Sequence, residues 1–316
     1  MASGIGATLP KACRYAVGMV TDLQLRGVYV PLITPFAADG SVALDGVGRL
    51  CHEYLEAGAA GIVPLGTTGE ASSLTAGEKN AVIEACSTVC NERDAQMIVG
   101  AGTNNTASTV AAVEALEGNP AITAALIVVP YYVRPSEAGI VAHFHAVADA
   151  SPVPVALYNI AARTGRHLSA QGVIQAAAHP NIVGIKQAAA GLDLDTIQLL
   201  ADSPRDFAVL GGEDPLLFPM VLMGAAGAIC ASAHLCTERF VAMIECGLAG
   251  KVDDGRAHAE ALLPLVVACF AEPNPAVFKA VLHAQGRIPT PDVRLPLMAA
   301  SDAALDAALD AVRLAS

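Results

Sequence analysis

The chain has 316 residues, of which 54% belong to the hydrophobic set and only 15% are charged, a balance that excludes a disordered polymer. A formal net charge of −12, with no basic run and no Trp, argues against nucleic-acid partners and anionic membrane surfaces. The apolar runs are short and broken by Gly, Pro or a charge, so none approaches the roughly 18 residues of a membrane span. In chain order, residues 1–26 come first. Lys11 and Arg14 precede an apolar run too short for a secretory h-region, and no clear cleavage site follows. This stretch is expected to be a disordered leader, with translation starting at Met1 or Met19.

From Gly27 onward, apolar runs alternate with helix-period segments. The runs cover 28–33, 61–65, 97–101, 125–129, 153–158, 182–186, 207–210 and 226–230. Helix starts are marked by Ser41 and Asp45, by Thr75 with Glu78 as a capping box, and by Ser136, Ser169 and Thr237. A spacing of roughly 20 to 36 residues is that of one βα unit. Continuous apolar strands between helices predict a parallel sheet covered on both faces. Eight units over residues 27–250 predict an α/β fold, a closed (β/α)8 TIM barrel, rather than an open sheet. No G-x-G-x-x-G follows Ile33, which argues against a dinucleotide site. Beyond residue 250 the strand signal stops. Helices over 251–270, 275–285 and 302–314 predict a C-terminal helical appendage spanning 251–316.

The eight cysteines include no C-x-x-C pair and no zinc spacing, so they read as free thiols in a reducing cytoplasm. His143 and His145, at i and i+2 of a predicted helix, point apart, and no metal site is expected.

In a parallel barrel the reactive groups sit at strand C-termini, where the βα loops converge. Lys186 ends the sixth run. Burial there disfavours the ammonium, and a neutral amine can attack a ketone to form a Schiff base; the bland reading is a lysine snorkelling to the mouth or paired with Glu70 or Glu213. The turn Gly66-Thr67-Thr68-Gly69 offers hydroxyls and clustered N–H groups, either an anion nest or a plain helix cap. Tyr132 and Tyr158 end strands 4 and 5 and could relay protons with Thr67, or merely pack there. Arg163 could grip a carboxylate bidentately or serve a loop salt bridge.

Taken together, Gly66-Thr67-Thr68-Gly69-Glu70, Pro130-Tyr131-Tyr132-x-Arg134-Pro135, Tyr158-Asn159-x-x-x-Arg163-Thr164-Gly165 and Gly184-Ile185-Lys186 resemble the signature of the dihydrodipicolinate synthase / N-acetylneuraminate lyase family. Glu272-Pro273-Asn274-Pro275 resembles the synthase branch in particular. The resemblance implies a Schiff base between Lys186 and pyruvate, Thr67 and Thr68 at the pyruvate carboxylate, and Tyr158 as the acid/base hydroxyl. Tyr132 would complete the relay by reaching into a neighbouring subunit's site, Arg163 would hold the carboxylate of an incoming aldehyde, and Gly212 and Ile229 would line the pocket. It further implies L-aspartate-4-semialdehyde as acceptor, 4-hydroxy-tetrahydrodipicolinate as product on the route to lysine, no cofactor beyond the covalent intermediate, and a homotetramer built as a dimer of dimers. Another pyruvate-dependent aldolase or dehydratase of the same family is the alternative.

Departures from the family pattern are Ala161-Ala162 in place of Pro-Ser before Arg163, and Gln187 where the synthases carry Glu. At the positions where regulated relatives hold inhibitory lysine stand Lys79 and Ser108, so lysine feedback is expected to be weak or absent. Rivals from other classes are a phosphate-binding barrel enzyme without covalent catalysis, a ligand-binding protein on the same scaffold and a metal-dependent aldolase.

Overall fold

Short β-branched runs that alternate with helices leave each strand only one place to bury both faces, between a core and a ring of helices. The computed structural model describes residues 23–315 and has this arrangement. In chain order the elements are β1 (Gly27–Val30), α1 (Leu44–Glu56), β2 (Gly61–Ile62), α2 (Ala76–Arg93), β3 (Gln96–Gly100), α3 (Thr106–Glu114) and β4 (Ile122–Val128). There follow α4 (Glu137–Ala150), β5 (Val155–Asn159), α5 (Ala161–Thr164), α6 (Ala170–Ala177), β6 (Ile182–Gln187), α7 (Leu194–Asp202), β7 (Ala208–Gly211), α8 (Leu217–Leu222), β8 (Gly227–Ile229) and α9 (Thr237–Leu248). Three more helices, α10 (Val252–Cys269), α11 (Ala276–Ala284) and α12 (Asp302–Ala315), complete the described chain. The expected leader, apart from its last residues, lies outside the described residues.

All eight strands pair in parallel and close as β1 to β8 in sequence order. Closure brings Gly27 opposite Gly227, where a Cβ on Gly227 would sit 2.1 Å from the Gly27 carbonyl oxygen. Only glycine fits that seam. Inside the barrel Tyr29, Val63, Ile98, Leu126, Val183, Leu210 and Ile229 fill one cluster, and a larger one lies between strands and helices.

The caps at Thr75, Ser136 and Ser169 form as expected. The other two helices start at or near their signals, α9 at Thr237 itself, but without side-chain caps. Ser41 turns its hydroxyl to Asp39 Oδ1, so α1 starts at Leu44 without a side-chain cap. Thr237 donates to the Ala233 carbonyl from the first turn of α9, and Cys236 takes the cap position. Strand β2 stops two residues into its apolar run, because Pro64 lacks an N–H and Leu65 turns left-handed at φ 59°.

The C-terminal helices are tied into the barrel mouth rather than merely appended. Asn274 reaches Thr68, Lys279 reaches Glu70, Thr290 reaches the Phe36 carbonyl, and Arg294 pairs with Glu78. Among the described residues, no helix is long and apolar enough to cross a membrane, and the cysteines are free thiols. Cys13 falls outside the description.

Candidate active site

The site begins with an irregularity. In β6 the pairing with β5 slips between Val155 and Ala156: Val155 faces Ile182, but Ala156 faces Gly184. The extra residue is a bulge, which shifts every later side chain of β6 to the opposite face. Lys186 consequently lies beside Tyr158 inside the barrel, whereas strict alternation from Ile182 would have sent it outward. Lys186 is 8% exposed, and its Nζ stands 4.5 Å above the Tyr158 ring centroid.

Gly212, just after β7, holds the other side. Its N–H donates to the Gln187 carbonyl at 2.8 Å, and a Cβ there would fall 2.7 Å from Lys186 Cε. Ile229 belongs to the same interior cluster as Tyr158. Behind Lys186, Asn159 donates to Gln187 Oε1 at 3.1 Å, and Gln187 Nε2 donates to Thr196 Oγ1 at 3.2 Å. Gln187 is thus the hinge of a buried neutral network, satisfied on both ends of its amide.

The turn after β2 supplies the polar rim. Thr67 is exposed at the mouth, while Thr68 is buried and accepts a hydrogen bond from Asn274 Nδ2 at 3.0 Å. Glu70 follows in a left-handed conformation at φ 52° and is also buried. Its carboxylate accepts from Lys279 Nζ at 2.6 Å and from the Arg294 N–H at 2.8 Å. The alternative pairing of Lys186 with Glu70 is therefore overturned: Glu70 belongs to Lys279.

Arg163 lies exposed on α5, one turn beyond β5, where Gly165 ends the helix at φ 69°. Tyr132 is 87% exposed with φ 71°, on an excursion whose backbone is pinned by Tyr132 N–H to the Thr164 carbonyl at 3.1 Å. Among the described residues no hydrogen bond joins Thr67, Tyr132 and Tyr158 within one protomer. The structure therefore gathers Lys186, Tyr158, Gly212 and Ile229, and leaves Thr67, Tyr132 and Arg163 at the rim.

Two carboxyls follow β7: Glu213, weighed above only as an ion-pair partner of Lys186, and Asp214, given no role there. Asp214 is buried and accepts from the Ser232 N–H at 2.7 Å, and burial pushes it above the usual carboxylate range. Glu213 is held up chiefly by burial and then by Asp214, against the pull of Lys186 and Arg163. The signal was available, since Glu213-Asp214 follows directly on the seventh strand's C-terminal end. Among the described residues, no group of three or more His, Cys, Asp or Glu side chains could hold a metal ion.

The family model described as the dihydrodipicolinate synthetase family matches residues 24–314. The chain is 38% identical over 279 residues to a 4-hydroxy-tetrahydrodipicolinate synthase of Moorella thermoacetica, covering 88% of this chain and 94% of that one. A chloride-inhibited dihydrodipicolinate synthase from Acinetobacter baumannii, solved with pyruvate, superposes with a TM-score of 0.88 at 32% identity, covering 92% of this chain and 99% of the other. The enzyme from Cyanidioschyzon merolae, solved with lysine bound, gives a TM-score of 0.88 at 31% identity, covering 92% and 98%.

Proposed function

Because the chain belongs to the dihydrodipicolinate synthetase family, we propose that it condenses pyruvate with L-aspartate-4-semialdehyde to give 4-hydroxy-tetrahydrodipicolinate, a step of lysine and diaminopimelate biosynthesis. The observation that carries the reading is one lysine, buried at a strand end against a tyrosine ring and a glycine that leaves it room.

Lys186 Nζ attacks the pyruvate keto carbon, and the carbinolamine loses its hydroxyl as water once Tyr158 has delivered a proton. The resulting iminium draws electrons from the methyl group, whose proton leaves to the tyrosine relay, and an enamine forms. The enamine carbon bonds to the aldehyde carbon, and the alkoxide takes up a proton. The product's own amine then displaces Lys186, closing the ring and freeing the lysine. One water is lost overall, and no external cofactor is needed.

Thr67 and Thr68 serve the pyruvate carboxylate, and Arg163 serves the carboxylate of the aldehyde. Gly212 and Ile229 wall the pocket. Tyr132, with Tyr131 and Val133 exposed beside it, forms a surface for a second copy and completes that copy's relay. A dimer of dimers in the cytoplasm is the assembly this reading favours.

The test is hydride trapping. With pyruvate and borohydride, the peptide containing Lys186 gains a reduced pyruvyl group; an unmodified peptide at saturating pyruvate overturns the reading. Comparing turnover of aspartate semialdehyde with succinic semialdehyde and N-acetylmannosamine then assigns the acceptor.

A further inference from the structure

The Glu272-Pro273-Asn274-Pro275 motif has a part in the site that the reaction scheme leaves unused. Asn274 is buried, and its Nδ2 donates to Thr68 Oγ1 at 3.0 Å across 206 residues of sequence. Among the described residues its Oδ1 is buried without a hydrogen-bond partner, whereas the flipped amide would strand the NH2 group there without an acceptor, the costlier orphan. An amide N–H can only donate, and the Thr68 hydroxyl must therefore receive it on a lone pair. The hydroxyl proton is then left for another acceptor. Among the described residues the Thr68 hydroxyl makes no hydrogen bond other than the one it receives from Asn274.

We infer that Asn274 is a positioning residue that fixes the polarity of the Thr68 hydroxyl, keeping it a proton donor toward the carboxylate of the keto acid. The inference rests on the reading of this turn as the carboxylate seat. An acceptor facing Thr68 would do the opposite: it would capture the hydroxyl proton and present lone pairs to an anion.

Asn274→Asp makes that inversion with almost no change of shape, whereas Asn274→Ala only frees the hydroxyl to rotate. In steady-state assays of the full chain, Asn274→Asp raises the KM for pyruvate about tenfold or more, exceeding its loss in kcat, and Asn274→Ala raises it about threefold or less. A residue that merely filled space would rank the two the other way. Thr68→Val removes the hydroxyl, and in that background Asn274→Asp adds less than about twofold. Alanine proving worse than aspartate, or an undiminished aspartate effect in the Thr68→Val background, overturns the inference. If Asn274→Asp does not fold, the cycle of Asn274→Ala with Thr68→Val decides, since additive effects on KM refute the coupling. Loss of the borohydride adduct in the unmodified protein sinks the underlying function. An adduct with additive variants sinks this inference alone.

Discussion

Lys186 Cε and Cγ would lie 2.7 and 2.8 Å from a methyl group at position 212, closer than carbon atoms approach one another. Gly212→Ala must push the lysine off its line toward the keto carbon, while Ala188, whose Cβ would lie 3.1 Å away, need give only slightly. The expected outcome is a loss in kcat/KM of about a hundredfold, with borohydride trapping slowed in parallel and thermal stability little changed. Arg163→Ala separates the two substrates. Its KM for the aldehyde should rise about tenfold to a hundredfold, as for loss of a charge-assisted bond, while pyruvate trapping proceeds as before. The lysine itself was legible at this scale, as the one cation ending a buried apolar run. Its inward direction was expected from its place at the strand end and holds, but the bulge at Val183 that turns it inside leaves no composition signal.

Elements were read well where a local bond makes them and poorly where distant groups do. The Thr75–Glu78 box is a four-residue code and forms as written. Glu70 with Lys279 and Thr68 with Asn274 join residues more than 200 apart, beyond the reach of any periodicity. In the Glu70–Lys279 pair both side chains are fully buried. Removing one partner strands the other charge, so Lys279→Met should cost about 3–5 kcal/mol in chemical denaturation, and adding Glu70→Gln should recover part of it. At the end of β8, His234 donates from Nδ1 to the Ala231 carbonyl and accepts the Ile33 N–H on Nε2, which welds β8 to the loop after β1. Burial, reinforced by nearby Arg287, pushes its imidazole down to about 3. The folded value lies below the ordinary one near 6.5, so the unfolded chain binds the extra proton between them. Stability is whole above about pH 6.5 and falls as pH drops toward 3, by at most about 5 kcal/mol from this group. Denaturation midpoints measured from pH 7 to 4 check the sign, and His234→Gln should flatten that slope.

For the whole molecule, the barrel was readable from eight apolar runs alternating with helices, and the grip of the C-terminal helices on its mouth was not. The exposed Tyr131-Tyr132-Val133 excursion, with left-handed backbone at Tyr132 and Arg134, predicts self-association. Sedimentation of Tyr132→Ala should shift toward smaller species, with turnover lost in proportion. Lys79 opens the question of regulation. A cation at that position would repel the ammonium of lysine, so lysine inhibition should be weak or absent, and half-maximal inhibition below a millimolar would refute this.

The tie between the β2 turn and the far end of the chain has a consequence for biogenesis. The backbone N–H of Arg294 holds the Glu70 carboxylate, and it leaves the ribosome 224 residues after its partner. All eight strands are translated before this latch exists. A nascent barrel stalled at its last strand would have all eight strands and still lack the tie that holds Glu70, so this turn is completed only after Arg294 has been translated.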